Sequence, residues 1–245
     1  MRIGLGLAIT DKQKAGAPAE PPAPTYHLNF DGVDDKIVIP AVASLNNLPL
    51  GDFTVEWSGQ FPRDEYVLII GKLDGDGFTR GWAATNWSYG GSKNLQFAVI
   101  GDGGNGWIEH SYTLLDDNIH HYEFSWKAST KDIRLFVDGV EFTKVSDFIL
   151  PITSYLDDSA YDVAIGGYIE YDGYNINGSF NWLRVANIIR HTSNFTPPSL
   201  TACPPDDANT VLRLALDEGT GSAVGDTSGN GNNGVITGAA WQVDS

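Results

Sequence analysis

Residues His120 to Val140, HHYEFSWKASTKDIRLFVDGV, constrain the fold more than any other stretch. Tyr122, Phe124 and Trp126 alternate with polar residues in a first run, and Ile133, Leu135 and Val137 fall on one face of a second. Successive side chains of an extended chain point to opposite sides of a sheet, so period-two alternation predicts two strands, each with one buried and one wet face. The polar residues 127–132 suit a connecting turn, and Asp138-Gly139 is a pair that accepts the positive φ angles of a tight hairpin turn. A long antiparallel hairpin is expected in the middle of the chain.

The same pattern recurs on either side. Phe53, Val55, Trp57, Gly59 and Phe61 fall on one face of a run, with Thr54, Glu56, Ser58 and Gln60 on the other. Val67 to Ile70, Trp82 to Thr85, Leu95 to Ile100, Trp107 to Thr113, Val163 to Gly167 and Phe180 to Ala186 continue the series between Gly, Asp and Asn turns, and no long 3.6-residue period appears. The 28 glycines and the 7 Trp, 10 Tyr and 11 Phe suit an all-β chain with many turns. With 31 acidic against 15 basic residues the net charge is −16, which repels a phosphate backbone, so nucleic acid is excluded as a partner. No apolar run approaches the roughly 20 residues of a membrane-spanning helix, and no membrane insertion is expected. Cys203 is the only cysteine, so the fold has no internal disulfide and depends on its core.

The first 25 residues differ in kind. Ile3, Leu5, Leu7 and Ile9 alternate with small residues, and Asp11 to Thr25 is a Pro/Ala-rich linker with little to bury. Two readings are open. The alternating residues form an arm that docks on a partner by adding a strand to a sheet edge. Alternatively, Arg2 ahead of a short apolar patch marks an export signal, although Asp11-Lys12 interrupts that patch.

Four segments, FDGVDDKIVIP from Phe30, DFTVEWSGQF from Asp52, the central hairpin, and AIGG ahead of GSFNWLRVANIIR, resemble the laminin-G-like, concanavalin-A-like lectin and glucanase family. The resemblance covers Tyr26 to Ser193. It implies an all-β jelly-roll sandwich of two antiparallel sheets that binds carbohydrate or protein. The tail, with LRLALDE at 212–218, DTSGNGNNG at 226–234 and Trp241, resembles the segment that in this family comes before the FDG motif. One sandwich over 26–245 is therefore expected, with 211–241 supplying its closing strands. That order, together with the Met-Arg-Ile-Gly-Leu-Gly-Leu start, resembles bacteriophage virion structural proteins. It implies a non-enzymatic capsid decoration, head-fibre or tail-surface protein on the virion surface, a homo-oligomer whose arm grips other virion proteins and whose sandwich meets a host-surface glycan. The alternatives are a secreted bacterial lectin and a polysaccharide hydrolase of the same fold.

The candidate sites follow from residue chemistry. Trp87, Tyr89, Trp107, Tyr168, Tyr171 and Tyr174 lie in or beside Gly-rich turns, where flat rings can stack on sugars or fill an interface. Asp226, Ser228, Asn230 and Asn232 place oxygen-bearing side chains at alternate positions, and with Asp31, Asp34 and Asp35 they form a calcium site if the termini meet; turn formation is the competing reading. A retaining glycosidase needs two carboxyls roughly 5–5.5 Å apart on one strand. Glu170-Tyr-Asp172-Gly-Tyr-Asn175 lacks the second glutamate, so no catalytic residue is assigned. His120 and His121 are adjacent and face opposite sides of a strand, which predicts one buried and one solvated imidazole and no shared metal.

Overall fold

The computed structural model describes residues 25–61, 66–75, 79–89, 92–113, 116–170 and 173–244. The arm residues Ile3, Leu5, Leu7 and Ile9 lie outside them. The described helical elements are short 3-10 turns. Everything else that is regular is extended, in seventeen strands: β1 (Tyr26–Asp31), β2 (Lys36–Ile39), β3 (Phe53–Gln60), β4 (Val67–Leu73), β5 (Gly81–Tyr89), β6 (Ser92–Gly101), β7 (Gly106–Thr113), β8 (His120–Lys127), β9 (Asp132–Val137), β10 (Val140–Phe142), β11 (Ser146–Leu150), β12 (Val163–Ile165), β13 (Asn177–Ala186), β14 (Thr210–Leu214), β15 (Ala223–Val224), β16 (Gly234–Thr237) and β17 (Ala240–Val243).

The strands form two antiparallel sheets. The first runs β10-β9-β8-β3-β13-β1-β17, with β14 pairing a second stretch of β13; the other runs β11-β7-β6-β5-β4-β12-β2-β16-β15. The central hairpin has the register that its alternation predicts: Tyr122 faces Val137, Phe124 faces Leu135 and Trp126 faces Ile133. Asp138 and Gly139 turn the chain into β10 with φ of 49° and 74°, the left-handed conformations of a tight two-residue hairpin loop. A side chain at Gly139 would also meet the Phe195 carbonyl, so glycine is required there twice over.

The inner faces meet in one aromatic core. Trp57 stacks on Tyr122 at 5.3 Å, Phe97 on Phe124 at 4.8 Å, and Phe61 meets Phe180 edge-on at 4.9 Å. Each such ring contributes about 1.5–3 kcal/mol by leaving water. The tail adds strands to both layers. β14 extends β13, β17 pairs with β1 through Leu28 and Trp241, and β16 pairs with β2 through Ile37 and Ile236.

The alternation misleads on one point. The second faces of the central strands are not wet: Thr54, Glu56 and Ser58 of β3 and His121, Glu123 and Ser125 of β8 are buried. Residues 187–209 return across that face as a strap. Thr54 Oγ1 donates to the Ile188 carbonyl at 2.7 Å, Trp182 Nε1 to the Ser199 carbonyl at 3.0 Å, and Arg184 Nη1 to the Pro205 carbonyl at 2.7 Å.

Candidate functional site

Three groups of side chains carry chemistry, and they differ in what they leave available. The first lies under the strap. Arg184, Glu56 and Glu123 are neighbours in register across β13, β3 and β8. Arg184 Nε donates to Glu56 Oε1 at 2.6 Å, Arg190 Nε lies 3.3 Å from the same oxygen, His121 Nε2 is 3.4 Å from Glu56 Oε2, and His191 Nδ1 is 2.7 Å from Glu123 Oε2. Burial pushes the Glu56 carboxyl up, but His121 and Arg184 outweigh it and hold the group below the ordinary glutamate range. Glu56, His121 and Glu123 come within metal-ligand reach of one another. Arg190 is also bound to Asp207 at 2.9 Å, so the layer is a network of two guanidiniums, two imidazoles and three carboxylates. His121 is fully buried while His120 sits nearer the surface between Asp138 at 2.6 Å and Asp116 at 2.9 Å, so the adjacent imidazoles do face opposite ways.

The second group is the expected calcium loop. The termini meet, β17 on β1, but the Asp226 loop is tied to β14 instead. Asp226 Oδ1 accepts from the backbone N–H of Arg213 and Ser228, both at 2.9 Å, and Oδ2 accepts from the N–H of Asn232 at 2.9 Å and from Ser228 Oγ at 2.8 Å. Asn230 and Asn232 donate to carbonyls of β14, Asn232 to Val211 at 2.5 Å. Asp31, Asp34 and Asp35 gather within 4.8 Å of one another in a triad that does not include Asp226. Burial raises the Asp35 carboxyl, with the Asp31 and Asp34 charges adding to it.

The third group occupies the outer face of the second sheet, and it is the candidate site. Register places Ala164, Gly71, Ala83, Ala98, Glu109 and Phe148 in one row across β12, β4, β5, β6, β7 and β11, and Leu68, Thr85, Gln96, Ser111 and Ser146 in the next. A Cβ on Gly71 would come within 3.0 Å of the Trp82 carbonyl and of Ala83 Cβ, so the backbone lies low there. Tyr168 packs on Leu68, Ala83 and Ala164, apart from the main core, and Tyr66 joins this patch. The Tyr66 and Tyr168 hydroxyls are 3.0 Å apart, and Tyr174 meets both rings edge-on. Burial raises the Tyr66 and Tyr168 phenols, which stay protonated hydrogen-bond donors.

Two cavities open on this face. One of about 450 Å³ is lined by Leu68, Gly71, Asp74, Asp162, Ala164, Tyr168 and Glu170. The other, of about 220 Å³, is lined by Asn94, Gln96, Glu109, Ser111, Ser146 and Phe148. They sit beside β4 and β7, three strand spacings or roughly 14 Å apart. In the smaller one Gln96 Nε2 donates to Ser111 Oγ at 2.9 Å; Trp107, behind its lining, donates Nε1 to Glu109 Oε2 at 3.3 Å and meets the Phe148 ring edge-on at 6.4 Å. Burial raises the Glu109 carboxyl, and the Trp107 N–H only partly offsets it.

Of the aromatics singled out in the sequence, Trp107, Tyr168 and Tyr174 are on this face. Trp107 is the second residue of β7 and not a turn residue. Trp87 and Tyr89 belong to strand β5, also not to a turn, and their side chains lie outside the described residues, as does all of Tyr171. Tyr66, Glu109 and Phe148 escaped the sequence reading. Period-two spacing from Trp107 passes through Glu109 and Ser111 and could have found the second of these.

No protein-family model matches the sequence, and no curated protein matches it. Solved structures share its fold. A candidate carbohydrate-binding protein from Bacteroides ovatus superposes with a TM-score of 0.63 at 17% identity, over 90% of this chain and 60% of that one. The chain thus spans about 60% of that protein's length. The CBM40 domain of the Ruminococcus gnavus IT-sialidase, bound to α2,3-sialyllactose, matches with a TM-score of 0.49 at 10% identity, over 67% of this chain and 91% of that one. A heptameric pentraxin from Limulus polyphemus gives 0.46 at 12% identity, over 73% and 81%. The two-sheet architecture is that of the concanavalin-A-like jelly roll.

Proposed function

We propose that the protein is a non-enzymatic, lectin-like glycan-binding module whose site is the outer face of the second sheet. One observation carries the reading: two open cavities on a single face, each combining an aromatic ring with carboxylate, amide or hydroxyl groups. A sugar ring offers C–H faces to aromatics and hydroxyls to such polar groups. The structural likeness to a candidate carbohydrate-binding protein supports it at the level of fold.

A hydrolase fits less well. The raised Glu109 carboxyl has the character of a general acid, but retaining chemistry requires a second carboxyl on the same side of the substrate. Asp147, which also borders the smaller cavity, is opposite His110 in register, one residue out of phase with the Phe148–Glu109 pair, and it is held by Lys144 at 2.8 Å. Display on a virion rests on the order of the tail segment and on residues 1–10, which lie outside the described residues, and the likeness to a candidate carbohydrate-binding protein supports the binding-module reading better. Screening the full chain over a glycan panel tests the proposal. The expected result is binding to a defined glycan class that Trp107→Ala weakens about tenfold; a blank panel, or binding indifferent to Trp107, would overturn it.

A further inference from the structure

Resting on the glycan-binding reading, we infer that the ligand carries no acidic groups: the face selects neutral oligosaccharides and rejects uronic, sialylated and sulfated ones. The larger cavity is lined by Asp74, Asp162 and Glu170, and the smaller one by Glu109 and Asp147. Among the described residues neither lining contains a lysine or an arginine.

The described basic side chains beside the cavities are committed elsewhere. Arg80 Nε is 3.6 Å from Asp74, its Nη1 donates to the Asp157 carbonyl at 3.0 Å, and its guanidinium lies over the Tyr161 ring. Lys144 holds Asp147 and reaches His110 Nε2 at 3.3 Å. Lys72 of β4 is fully buried and donates to Asn46 Oδ1 at 2.9 Å and to the Tyr161 carbonyl at 2.8 Å. With Asp74 and Asp147 so balanced, and Asp162 accepting from the Ala41 N–H at 2.8 Å and facing the Lys72 charge, Glu170 in one cavity and Glu109 in the other remain as carboxylates with no cation beside them among the described residues.

A sugar acid entering either cavity would give up water beside a like charge with no cation to receive it. A neutral ring meets the same carboxylates as hydrogen-bond acceptors for its hydroxyls. Glu109 next to Gln96 and Ser111 then provides an acceptor, an amide and a hydroxyl against the Phe148 ring. Discrimination here comes from repulsion of the wrong ligand as much as from attraction of the right one.

Isothermal titration of the full chain with paired oligosaccharides, identical except that one member carries a carboxylate, tests the inference. Neutral gluco-, manno- and xylo-oligomers are set against glucurono-, galacturono- and sialyl oligomers. The neutral member is expected to bind at least about tenfold more tightly, and Glu109→Gln or Glu170→Gln to narrow that gap by admitting the acid. Equal or tighter binding of the acidic members overturns the inference while leaving the glycan reading intact. If no glycan of either kind binds, the function proposed above fails and this inference with it. Circular dichroism of both variants separates lost selectivity from lost fold.

Discussion

The outer faces of the two sheets solve the same burial problem with opposite chemistry. On the first, β3, β8 and β13 project Thr54, Glu56, His121, Glu123 and Arg184, and the 187–209 strap closes over them with ion pairs and backbone hydrogen bonds. On the second, the corresponding positions of β4 to β6 are Gly71, Ala83, Ala98, Thr85 and Gln96, with tyrosines packed alongside and cavities left at both flanks. The charged face is occupied with holding itself together. The second face carries few charges on its central strands and holds its carboxylates at the two cavities, where space and hydrogen-bonding groups remain for a ligand.

The largest effect that separates the two faces is expected from Glu56→Ala. It strands Arg184, whose Nε donates to Glu56, while Arg190 keeps Asp207, and removing one partner of a buried pair costs about 3–5 kcal/mol. Urea unfolding would show the loss, while the surviving folded protein should bind glycan unchanged; a cost below about 1 kcal/mol would mean the layer under the strap is dispensable. Phe148→Ala should do the reverse. Its ring is 51% exposed on an edge strand, so stability should move by less than about 1 kcal/mol, whereas glycan affinity falls about tenfold.

Between these in stability lies Asp226→Ala, which leaves three backbone N–H groups without an acceptor and should cost about 1–2 kcal/mol. Chelator-treated protein should melt at the same temperature with or without added calcium, because the Asp226 oxygens are already filled. A calcium-dependent rise would instead direct attention to Asp31, Asp34 and Asp35.

The smallest effects are in pH. A carboxyl whose folded pKa is depressed contributes stability that is present above its unfolded value, about 4.3 for glutamate, and is lost as pH falls through the folded value. Glu56 is such a group, so acid unfolding should weaken the strap side below about pH 4.3, and Glu56→Gln should flatten that limb. His120 shifts the other way. Burial lowers it, but Asp116 and Asp138 outweigh burial and raise it, so its contribution is full below about pH 6.5 and fades as pH climbs through its folded value. Melting scans of His120→Asn should lose that alkaline fade.

Much of the fold was legible because strand alternation is a local property. Tyr122, Phe124 and Trp126 show their shared face without any knowledge of partners, and Asp138-Gly139 shows its turn. Which faces stay wet is not local. The strap that buries Glu56 comes from residues more than a hundred positions later in the chain, and its Thr, Pro and Asn residues announce no contact. The site was half legible for the same reason. Tyr168 and Trp107 stand out as aromatics beside glycines, and Glu109 follows Trp107 at period two, but Phe148 becomes a neighbour of Trp107 only through the pairing of β11 with β7, and Tyr66 of Tyr168 only through the tertiary fold. The alternate oxygens of Asp226 to Asn232 were visible as a pattern, and their use in the turn depends on where β14 lies.

The most direct measurement is a crystal structure of the full chain with a neutral oligosaccharide selected by the titrations. The account predicts density on the outer face of the second sheet, against Tyr168 and Glu170 or against Phe148 and Glu109. Density on the strap side of the first sheet or on the loops at the sandwich ends, with both of these cavities empty, would contradict it.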